Sequence, residues 1–190
     1  LLKKNSSGLL SFAEIKGLVG ELTFLKRVLF DKYTPKKALL SWIGPYKADQ
    51  DFVCPESWYE VKAVVSGAES VHISSVEQLD TEMQGELVIV YLDKTSRSDP
   101  NRITLNNLVD EITENLPSGD ERRILRDILI EQGYIHRDEY DEYAFKYAGH
   151  TRYAVTGDFP ALRRKDIPES VTNAQYTISL ASIFEYIKEE

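Results

Sequence analysis

The feature that most limits the fold is an unbroken apolar run within residues 86–92, Leu-Val-Ile-Val-Tyr-Leu after Glu86. The run is rich in β-branched residues and falls well short of the roughly 18 residues of a membrane helix, so it predicts a strand. A strand with no polar face must be covered on both sides, as in parallel pairs whose crossover connections place helices over the sheet. We therefore expect an α/β protein.

A β-hairpin precedes this strand in the sequence. Residues 52–54 and 58–65 are rich in β-branched and aromatic side chains, and a Pro-Glu-Ser break separates them. A four-residue loop over residues 54–57 is a common hairpin length and would pair Val53 with Trp58. This register decides which side chains share a face of the sheet.

The same register brings three charged side chains together. Asp51 falls opposite Glu60, and opposed residues of an antiparallel pair share a face. Side chains alternate along a strand, so Glu60 and Lys62 also share that face, roughly 7 Å apart at about 3.4 Å per residue. Two neighbouring carboxylates repel each other, so they either share a proton or hold a cation between them.

Such a patch suits the hydrolysis of a phosphodiester bond. Mg²⁺ prefers oxygen ligands, keeps several waters and commonly takes one or two protein carboxylates together with phosphate oxygens. A lysine beside it can orient or deprotonate water, or can neutralise charge that develops on the phosphate. The plainer alternative is a solvated strand face on which Glu60 and Lys62 form a weak ion pair.

A long helix is predicted before the hairpin. Ser11 and Glu14 form a capping-box signature, and apolar residues then recur at helical spacing over residues 12–32. Glu21 lies roughly 60° around this helix from Leu18, at the edge of the apolar stripe. The stripe that we expect to be buried consists of Ile15, Leu18, Leu22, Leu25 and Leu29.

A second helix is predicted after the hairpin. Ser74 and Glu77 form another capping signature, which predicts a helix from there to about residue 83. Gln78 would lie on its first turns.

The order of these elements resembles the PD-(D/E)XK nuclease superfamily, with Asp51, Glu60 and Lys62 at the positions of its motif. The resemblance implies that Asp51 and Glu60 bind a divalent metal, Mg²⁺ or Mn²⁺, and that Lys62 assists the attacking water. It also implies that Glu21 reaches the metal and that Gln78 supports the lysine or a water. For both Glu21 and Gln78, a side chain that faces solvent is the alternative.

The chain departs from the superfamily pattern at one position, since Gln50 and not proline precedes Asp51. Asp49 is a rival for the first acidic role, because it lies two residues away on the same strand face. More narrowly, the chain resembles a bacterial family of PD-(D/E)XK proteins from restriction or phage-defence loci. The motifs cover residues 9–92, and residues 134–180 resemble that family more loosely.

The resemblance implies a restriction-endonuclease-like αβββαβ core, with a mixed central sheet flanked by helices, followed by a C-terminal α+β extension. We expect the core within residues 1–100 and the extension within residues 101–190, packed as one unit. Residues 37–43 are predicted to form the first strand of the core. Residues 140–156 are predicted to form a hairpin that turns at Gly149 and His150.

The charge distribution bears on nucleic-acid binding. The net charge is −8, whereas phosphate binding depends on Lys and Arg. Residues 1–62 contain 10 Lys or Arg and 7 Asp or Glu, which gives +3, while the remainder carries −11. The half with the motif is thus the basic half, and Lys36, Lys37 and Lys47 are candidate phosphate contacts.

The remaining sequence features narrow the class of protein. The single cysteine, Cys54, excludes an intrachain disulfide framework and fits a reducing cytoplasm, and we expect no membrane association. The chain begins Leu1-Leu2-Lys3, which favours a piece of a longer protein.

Three functional hypotheses follow. The first is a metal-dependent DNA endonuclease of a bacterial restriction or phage-defence system, with DNA, other subunits of that system or a second copy of the chain as partners. The second is a catalytically silent nuclease-fold module for DNA binding or protein assembly, which the acidic net charge favours. The third is a nuclease that acts on RNA, because metal-assisted attack on phosphorus does not itself distinguish the sugars.

Overall fold

The computed structural model describes residues 8–188. Its largest sheet has four strands in the order β1-β2-β4-β5, and β3 pairs with β6 in a separate antiparallel sheet. The strands are β1 (Phe52–Cys54), β2 (Ser57–Val64), β3 (Ser70–Ile73), β4 (Gly85–Lys94), β5 (Phe145–Val155) and β6 (Tyr176–Ser179). The β2–β4 pair is parallel, while β1–β2 and β4–β5 are antiparallel, so the larger sheet is mixed.

Helices precede and interrupt these strands. Helix α1 (Phe12–Phe24) continues without a break through a π-helical turn (Leu25–Leu29) and a last α-helical turn (Phe30–Lys32). The others are α2 (Pro35–Ser41), α3 (Leu105–Asn115) and α4 (Gly119–Glu131), with short 3₁₀ turns at Gly44–Tyr46, Val76–Gln78, Asp138–Glu142, Arg164–Asp166 and Leu180–Tyr186. In the described part of the chain, no helix combines the length and apolar character needed to cross a membrane.

The apolar run forms the middle of β4 and is buried on both faces, as predicted. Val88 and Val90 pack into one hydrophobic core with α1 and α3. Leu87 and Ile89 point the other way, into a second core with β3, β5 and β6. The alternation of a strand thus divides one continuous apolar segment between two cores.

The predicted hairpin register is confirmed. Val53 pairs with Trp58, and Cys54 pairs with Ser57, so only two residues form the turn between β1 and β2. Asp51 lies directly before β1, and continuing the register places it opposite Glu60.

Helix α1 begins as predicted and crosses β2 at close range. Ser11 and Glu14 form a reciprocal capping box, and every residue of the predicted apolar stripe is buried. A Cβ atom placed on Gly20 would lie 2.8 Å from the Cβ of Ala63 on β2, too close for any real contact. The absence of a side chain at Gly20 therefore sets the separation of α1 and β2 and, with it, the position of the neighbouring Glu21.

This close crossing predicts opposite effects for two glycines of the same helix. Gly20→Ala is expected to destabilise the protein by about 1–3 kcal/mol, because the added methyl group overpacks the contact with Ala63. Gly17→Ala is the matched control: no atom of residues 8–188 lies within 4 Å of its added Cβ. That variant should be stabilised by roughly 0.5–1 kcal/mol through helix propensity. Urea unfolding followed by circular dichroism measures both, and equal effects would contradict the proposed packing.

The predicted strand over residues 37–43 is wrong, because most of this segment is helix α2. Thr34 caps the helix, with its Oγ1 accepting a hydrogen bond from the N–H of Lys37, and Pro35 occupies the first turn. Proline at that position is pre-set for a helix and loses no hydrogen bond. The cap and proline outweigh the apolar Ala-Leu-Leu composition that suggested a strand.

The predicted helix from Ser74 to about residue 83 is also wrong. Only Val76–Gln78 is helical, as one 3₁₀ turn, and the Ser74 N–H bonds to Oε1 of Gln78. The side chain of Gln78 therefore folds back to accept a hydrogen bond from the backbone of Ser74.

The predicted hairpin over residues 140–156 is a third error, since one long strand, β5, occupies most of it. Gly149 has a φ of 123° and lies at a register shift opposite Tyr91, where β5 bulges without reversing. The neighbouring strand β4 offers a partner along the whole length of β5, and only glycine tolerates this backbone conformation. Because β5 completes the main sheet, the two halves of the sequence share one sheet, and the domain division near residue 100 stays a prediction.

Candidate active site

The side chains singled out from the sequence lie around one cavity of about 660 Å³. The start of α1, the end of the loop before β1, strand β2, strand β3 and the Val76–Gln78 turn supply its walls. Its lining includes Glu21, Asp51, Glu60, Lys62 and Gln78. The structure therefore brings together the candidate residues from four separate segments.

Asp51 is held by its backbone on one side and by its side chain on the other. Its carbonyl oxygen accepts hydrogen bonds from the N–H groups of Ile43 (2.9 Å) and Gly44 (3.0 Å). Its Oδ2 accepts from the N–H of Val61 at 2.8 Å. A Cβ on Gly44 would lie 3.0 Å from Oδ1 of Asp51, so glycine there leaves room for the carboxylate.

Glu60 is the most deeply buried carboxylate of the site, with 1% of its surface exposed. Its Oε1 accepts from Nζ of Lys62 at 2.8 Å and from Nε2 of Gln78 at 2.6 Å. Its Oε2 is buried and has no hydrogen-bond partner among residues 8–188. A buried carboxylate oxygen without a partner costs free energy, so a group that binds at Oε2 would relieve that cost.

Gln78 fixes the amine of Lys62. Nζ of Lys62 donates to Oε1 of Gln78 at 3.1 Å, and the same oxygen accepts from the N–H of Ser74 at 2.8 Å. Glu60 and Gln78 thus hold Lys62 from two sides. The side chain of Lys62 is 16% exposed and lines the cavity.

Glu21 reaches the cavity from α1. Its Oε2 accepts from Nε1 of Trp42 at 2.6 Å and from Nε2 of Gln132 at 3.2 Å. Trp42 follows α2, and Gln132 ends α4, so two further helical segments orient this carboxylate. The alternative in which Glu21 merely faces solvent is excluded by these contacts.

Burial raises the pKa of all three carboxylates, and a neighbouring carboxylate adds to this rise for Glu60 and Glu21. Burial, reinforced by the charge of Asp51, raises the pKa of Glu60 to about 8, although Lys62 opposes the change. Burial also raises the pKa of Asp51 to about 6, against the hydrogen bond from Val61 and the charge of Lys62. The pKa of Glu21 is raised well above its usual range, first by burial and then by Asp51. The single positive charge of Lys62 therefore does not offset the cost of burying three carboxylates.

This donor set fits a hard divalent cation. The site offers carboxylate oxygens from Asp51, Glu60 and Glu21, and an unpartnered oxygen on Glu60. A bound cation would favour the ionised form of all three carboxylates and so oppose the burial that raises their pKa values. Over residues 8–188, however, no three His, Cys, Asp or Glu side chains are already grouped as metal ligands. Two carboxylates with waters and substrate oxygens, as Mg²⁺ commonly uses, require no such group.

Gln50, which replaces the proline of the motif, has a contact of its own. Its Nε2 donates to the carbonyl oxygens of Glu77 (2.8 Å) and Gln78 (3.4 Å). It thus ties the segment of Asp51 to the turn that carries Gln78. The rival Asp49 is exposed and is not among the described residues that line the cavity.

The three candidate phosphate contacts lie elsewhere. Lys36 and Lys37 are exposed on α2, and Lys47 is exposed just after the Gly44–Tyr46 turn. None of the three is among the described residues that line this cavity. Their contact with nucleic acid stays a prediction.

Sequence reasoning missed the residues that orient the site. Trp42 and Gln132 bond to Glu21 from 21 and 111 residues away, and Ser74 was assigned to a helix cap. No local pattern identifies Gln132, because its role depends on how α4 packs. Trp42 carried one signal, since a buried tryptophan needs an acceptor for its N–H.

The fold and cavity together define a class of protein. A mixed α/β sheet flanked by helices, consistent with the predicted restriction-endonuclease-like fold, carries acidic and lysine side chains of the PD-(D/E)XK pattern on one face. The chain belongs to the family described as "Putative PD-(D/E)XK family member, (DUF4420)", whose model matches residues 1–181. Comparisons with curated proteins and with solved structures gave no match.

Proposed function

We propose that this protein is a metal-dependent endonuclease that hydrolyses phosphodiester bonds of DNA in a bacterial restriction or phage-defence system. The observation that carries the proposal is the convergence of Asp51, Glu60 and Lys62 on one cavity, with one oxygen of Glu60 buried and unpartnered within the described chain. Membership of the PD-(D/E)XK family supports a nuclease-like protein. The cytoplasm is the proposed location, in keeping with a single free cysteine.

The residues of the chain have distinct parts in this reaction. Asp51 and Glu60, with Glu21 beside them, would hold Mg²⁺ or Mn²⁺, which when bound supplies positive charge to the scissile phosphate and the departing 3′ oxygen. Lys62 orients a water through its Nζ, and Gln78 keeps that amine in place. The water oxygen forms a bond to phosphorus and releases a proton to solvent as the bond from phosphorus to the 3′ oxygen breaks. The 3′ oxygen takes up a proton, which leaves a 5′ phosphate and a 3′ hydroxyl.

The direct test is cleavage of nucleic acid with defined metals. Supercoiled plasmid, single-stranded DNA and single-stranded RNA are each incubated with the protein in Mg²⁺, Mn²⁺ or EDTA. We expect nicked or linear plasmid with either metal and intact plasmid in EDTA. If the protein cleaves RNA but neither form of DNA, then RNA is its substrate. An absence of cleavage under every condition would reject the proposal that the protein is an enzyme.

A second candidate function is a catalytically silent module that binds DNA or assembles with a partner protein. The observation in its favour is the internal pairing of Glu60 with Lys62 and Gln78, which neutralises part of the acidic cluster without a metal. The net charge of −8 also suits a protein partner.

Metal binding separates the two candidates. We expect Mg²⁺ or Mn²⁺ at about 100 times its dissociation constant to raise the unfolding midpoint by roughly 5 °C, since binding to the folded state then contributes about 2.7 kcal/mol. Asp51→Asn should lose this shift, because the variant removes one ionised ligand. Asp49→Asn is the control and should keep it. A midpoint that does not respond to metal in the unmodified protein supports the silent module.

A further inference from the structure

A second cavity, of about 620 Å³, lies at the far end of α1, where its wall also includes β5 and the loop before α3. Four cationic side chains line it, and Glu111 is the one carboxylate among the described residues of its lining. Glu111 bonds to Lys26, so the cavity remains positive. The four cations are Lys26, Arg27, Arg102 and Lys146.

The π-helical turn Leu25–Leu29 presents two of these cations. It contains Lys26 and Arg27, and the guanidinium of Arg27 lies 4.3 Å from the ring centroid of Tyr147 on β5. Turns of this kind are rare and often lie at functional sites. The stacking of Arg27 on an aromatic face holds its charge toward the cavity without a carboxylate.

Cationic side chains connect this cavity to the candidate active site. Phe12 and Lys16 line the active-site cavity, and Nζ of Lys94 lies 4.8 Å from the ring centroid of Phe12. Lys94 pairs across the sheet with Phe145, whose neighbour Lys146 lines the second cavity. Lys16 and Lys94 thus lie toward the active-site cavity and Lys146 toward the second cavity, and Asp93, which pairs with Lys146 and is near Lys16, lies among them.

We propose that a nucleic-acid strand entering the active site continues from there to the second cavity, with its phosphates bound by a basic groove. The basic groove consists of Lys16, Lys94, Lys146, Arg27, Lys26 and Arg102. The proposal rests on the proposed nuclease function and names the surface that holds the substrate. The six cations outnumber the carboxylates that the described structure places beside them, Glu111, Asp93 and Asp99, so this surface is positive although the net charge of the protein is −8.

The extent of the groove favours a nucleic acid over a small phosphorylated ligand. A mononucleotide would occupy one cavity, whereas the cations extend across α1, β4, β5 and the loop before α3. Backbone phosphates recur along a strand and are bound without regard to sequence. A polymer of phosphodiesters is therefore the ligand that uses all six cations.

The test measures binding of a fluorescent 30-base-pair DNA duplex in EDTA, where cleavage does not interfere, at several salt concentrations. Arg102→Gln/Lys146→Gln is expected to weaken binding roughly tenfold and to reduce the slope of log affinity against log salt by about 2. The control is Arg123→Gln/Arg126→Gln, which removes the same charge from α4 at two exposed positions that line neither cavity in the described structure. We expect that pair to change the slope by less than half a unit.

Each outcome bears on the groove alone. Three results would overturn the groove: a loss of binding that follows Arg123 and Arg126 instead, an unchanged slope in the Arg102/Lys146 variant, or a mononucleotide that binds as tightly as the duplex. Cleavage with Mg²⁺ is measured separately, so an active protein with an unchanged salt slope rejects the groove and leaves the nuclease in place. If the slope falls in the Arg102/Lys146 variant but the unmodified protein cleaves no DNA, the groove is supported and the nuclease is rejected.

Discussion

Replacing Lys62 by alanine is expected to lower Mg²⁺-dependent cleavage of plasmid DNA by roughly 10²–10⁴-fold, the range for losing one residue that assists proton transfer or positions water. The protein should remain folded, because Gln78 continues to donate to Glu60 at 2.6 Å and no large apolar contact is lost. Cleavage is followed on agarose gels over time, and folding by circular dichroism.

Lys165→Ala is the control for this variant, since Lys165 is exposed and does not belong to the described lining of the active-site cavity. Its cleavage rate should change less than twofold. Gln78→Ala should fall between the two, because it loosens the amine of Lys62 without removing it. Cleavage by Lys62→Ala at the rate of the unmodified protein would remove the lysine from the proposed reaction.

The second large effect concerns two buried glutamates of one sheet that respond to amidation in opposite directions. Glu60 is 1% exposed and has a pKa raised to about 8, first by burial. Glu86 is 3% exposed; burial would raise its pKa too, but hydrogen bonds from Arg152 and Lys188 outweigh burial and lower it. Arg152 donates twice, at 2.6 and 2.9 Å.

In metal-free protein at pH 8, Glu60→Gln is expected to raise the free energy of unfolding by up to about 4 kcal/mol, because the pKa of Glu60 is raised from 4.5 to about 8 and each unit corresponds to about 1.4 kcal/mol. The same variant should abolish Mg²⁺-dependent cleavage. Glu86→Gln should lower the free energy of unfolding by about 1–3 kcal/mol, because the partly buried Arg152 and the more exposed Lys188 lose a charged hydrogen-bond acceptor. Urea unfolding in EDTA measures both. A Glu60→Gln protein that is less stable than the unmodified one would contradict the picture of an acidic cluster in need of a cation.

The two residues also predict opposite pH dependences. The folded state holds the Glu60 proton after the unfolded state has released it, so stability falls as the pH rises from about 4.5 through about 8. The pKa of folded Glu86 is below its ordinary value, so its contribution is present above pH 4.5 and is lost as the pH falls through the lowered value. The Glu60→Gln variant should therefore show a flatter profile above pH 4.5.

The parts of the fold that sequence predicted are those in which local chemistry and tertiary packing agree. The capping box at Ser11, the apolar stripe of α1 and the unbroken run of β4 each fit only one kind of element. The hairpin register followed from the period of two along a strand and a short turn. That register alone predicts that Asp51, Glu60 and Lys62 lie together.

The errors arose where a neighbour outweighed a local signal, or where one local signal was given too much weight. Gly149 suggested a turn, but the continuous edge of β4 made it a bulge in β5. The apolar residues after Thr34 favour a strand, but the cap at Thr34 and the proline that follows it favour a helix, and the helix forms. The contact of Gln132 with Glu21 could not be predicted, because nothing near Gln132 in the sequence indicates that α4 packs beside Glu21. Orientation of the site thus depends on long-range packing that a single sequence does not encode locally.

The place of β5 in the main sheet has a practical consequence for anyone who shortens this protein. A truncation after residue 100 would keep the described residues that line the active-site cavity, although it would remove Gln132, which bonds to Glu21. It would also remove β5 and expose one edge of the ten-residue, largely apolar strand β4. The unpaired N–H and C=O groups of such an edge can form hydrogen bonds with a strand of another molecule and so cause aggregation. The minimal fragment suggested by the motif is therefore expected to form inclusion bodies, and only versions that extend through Val155 should be purified in soluble form.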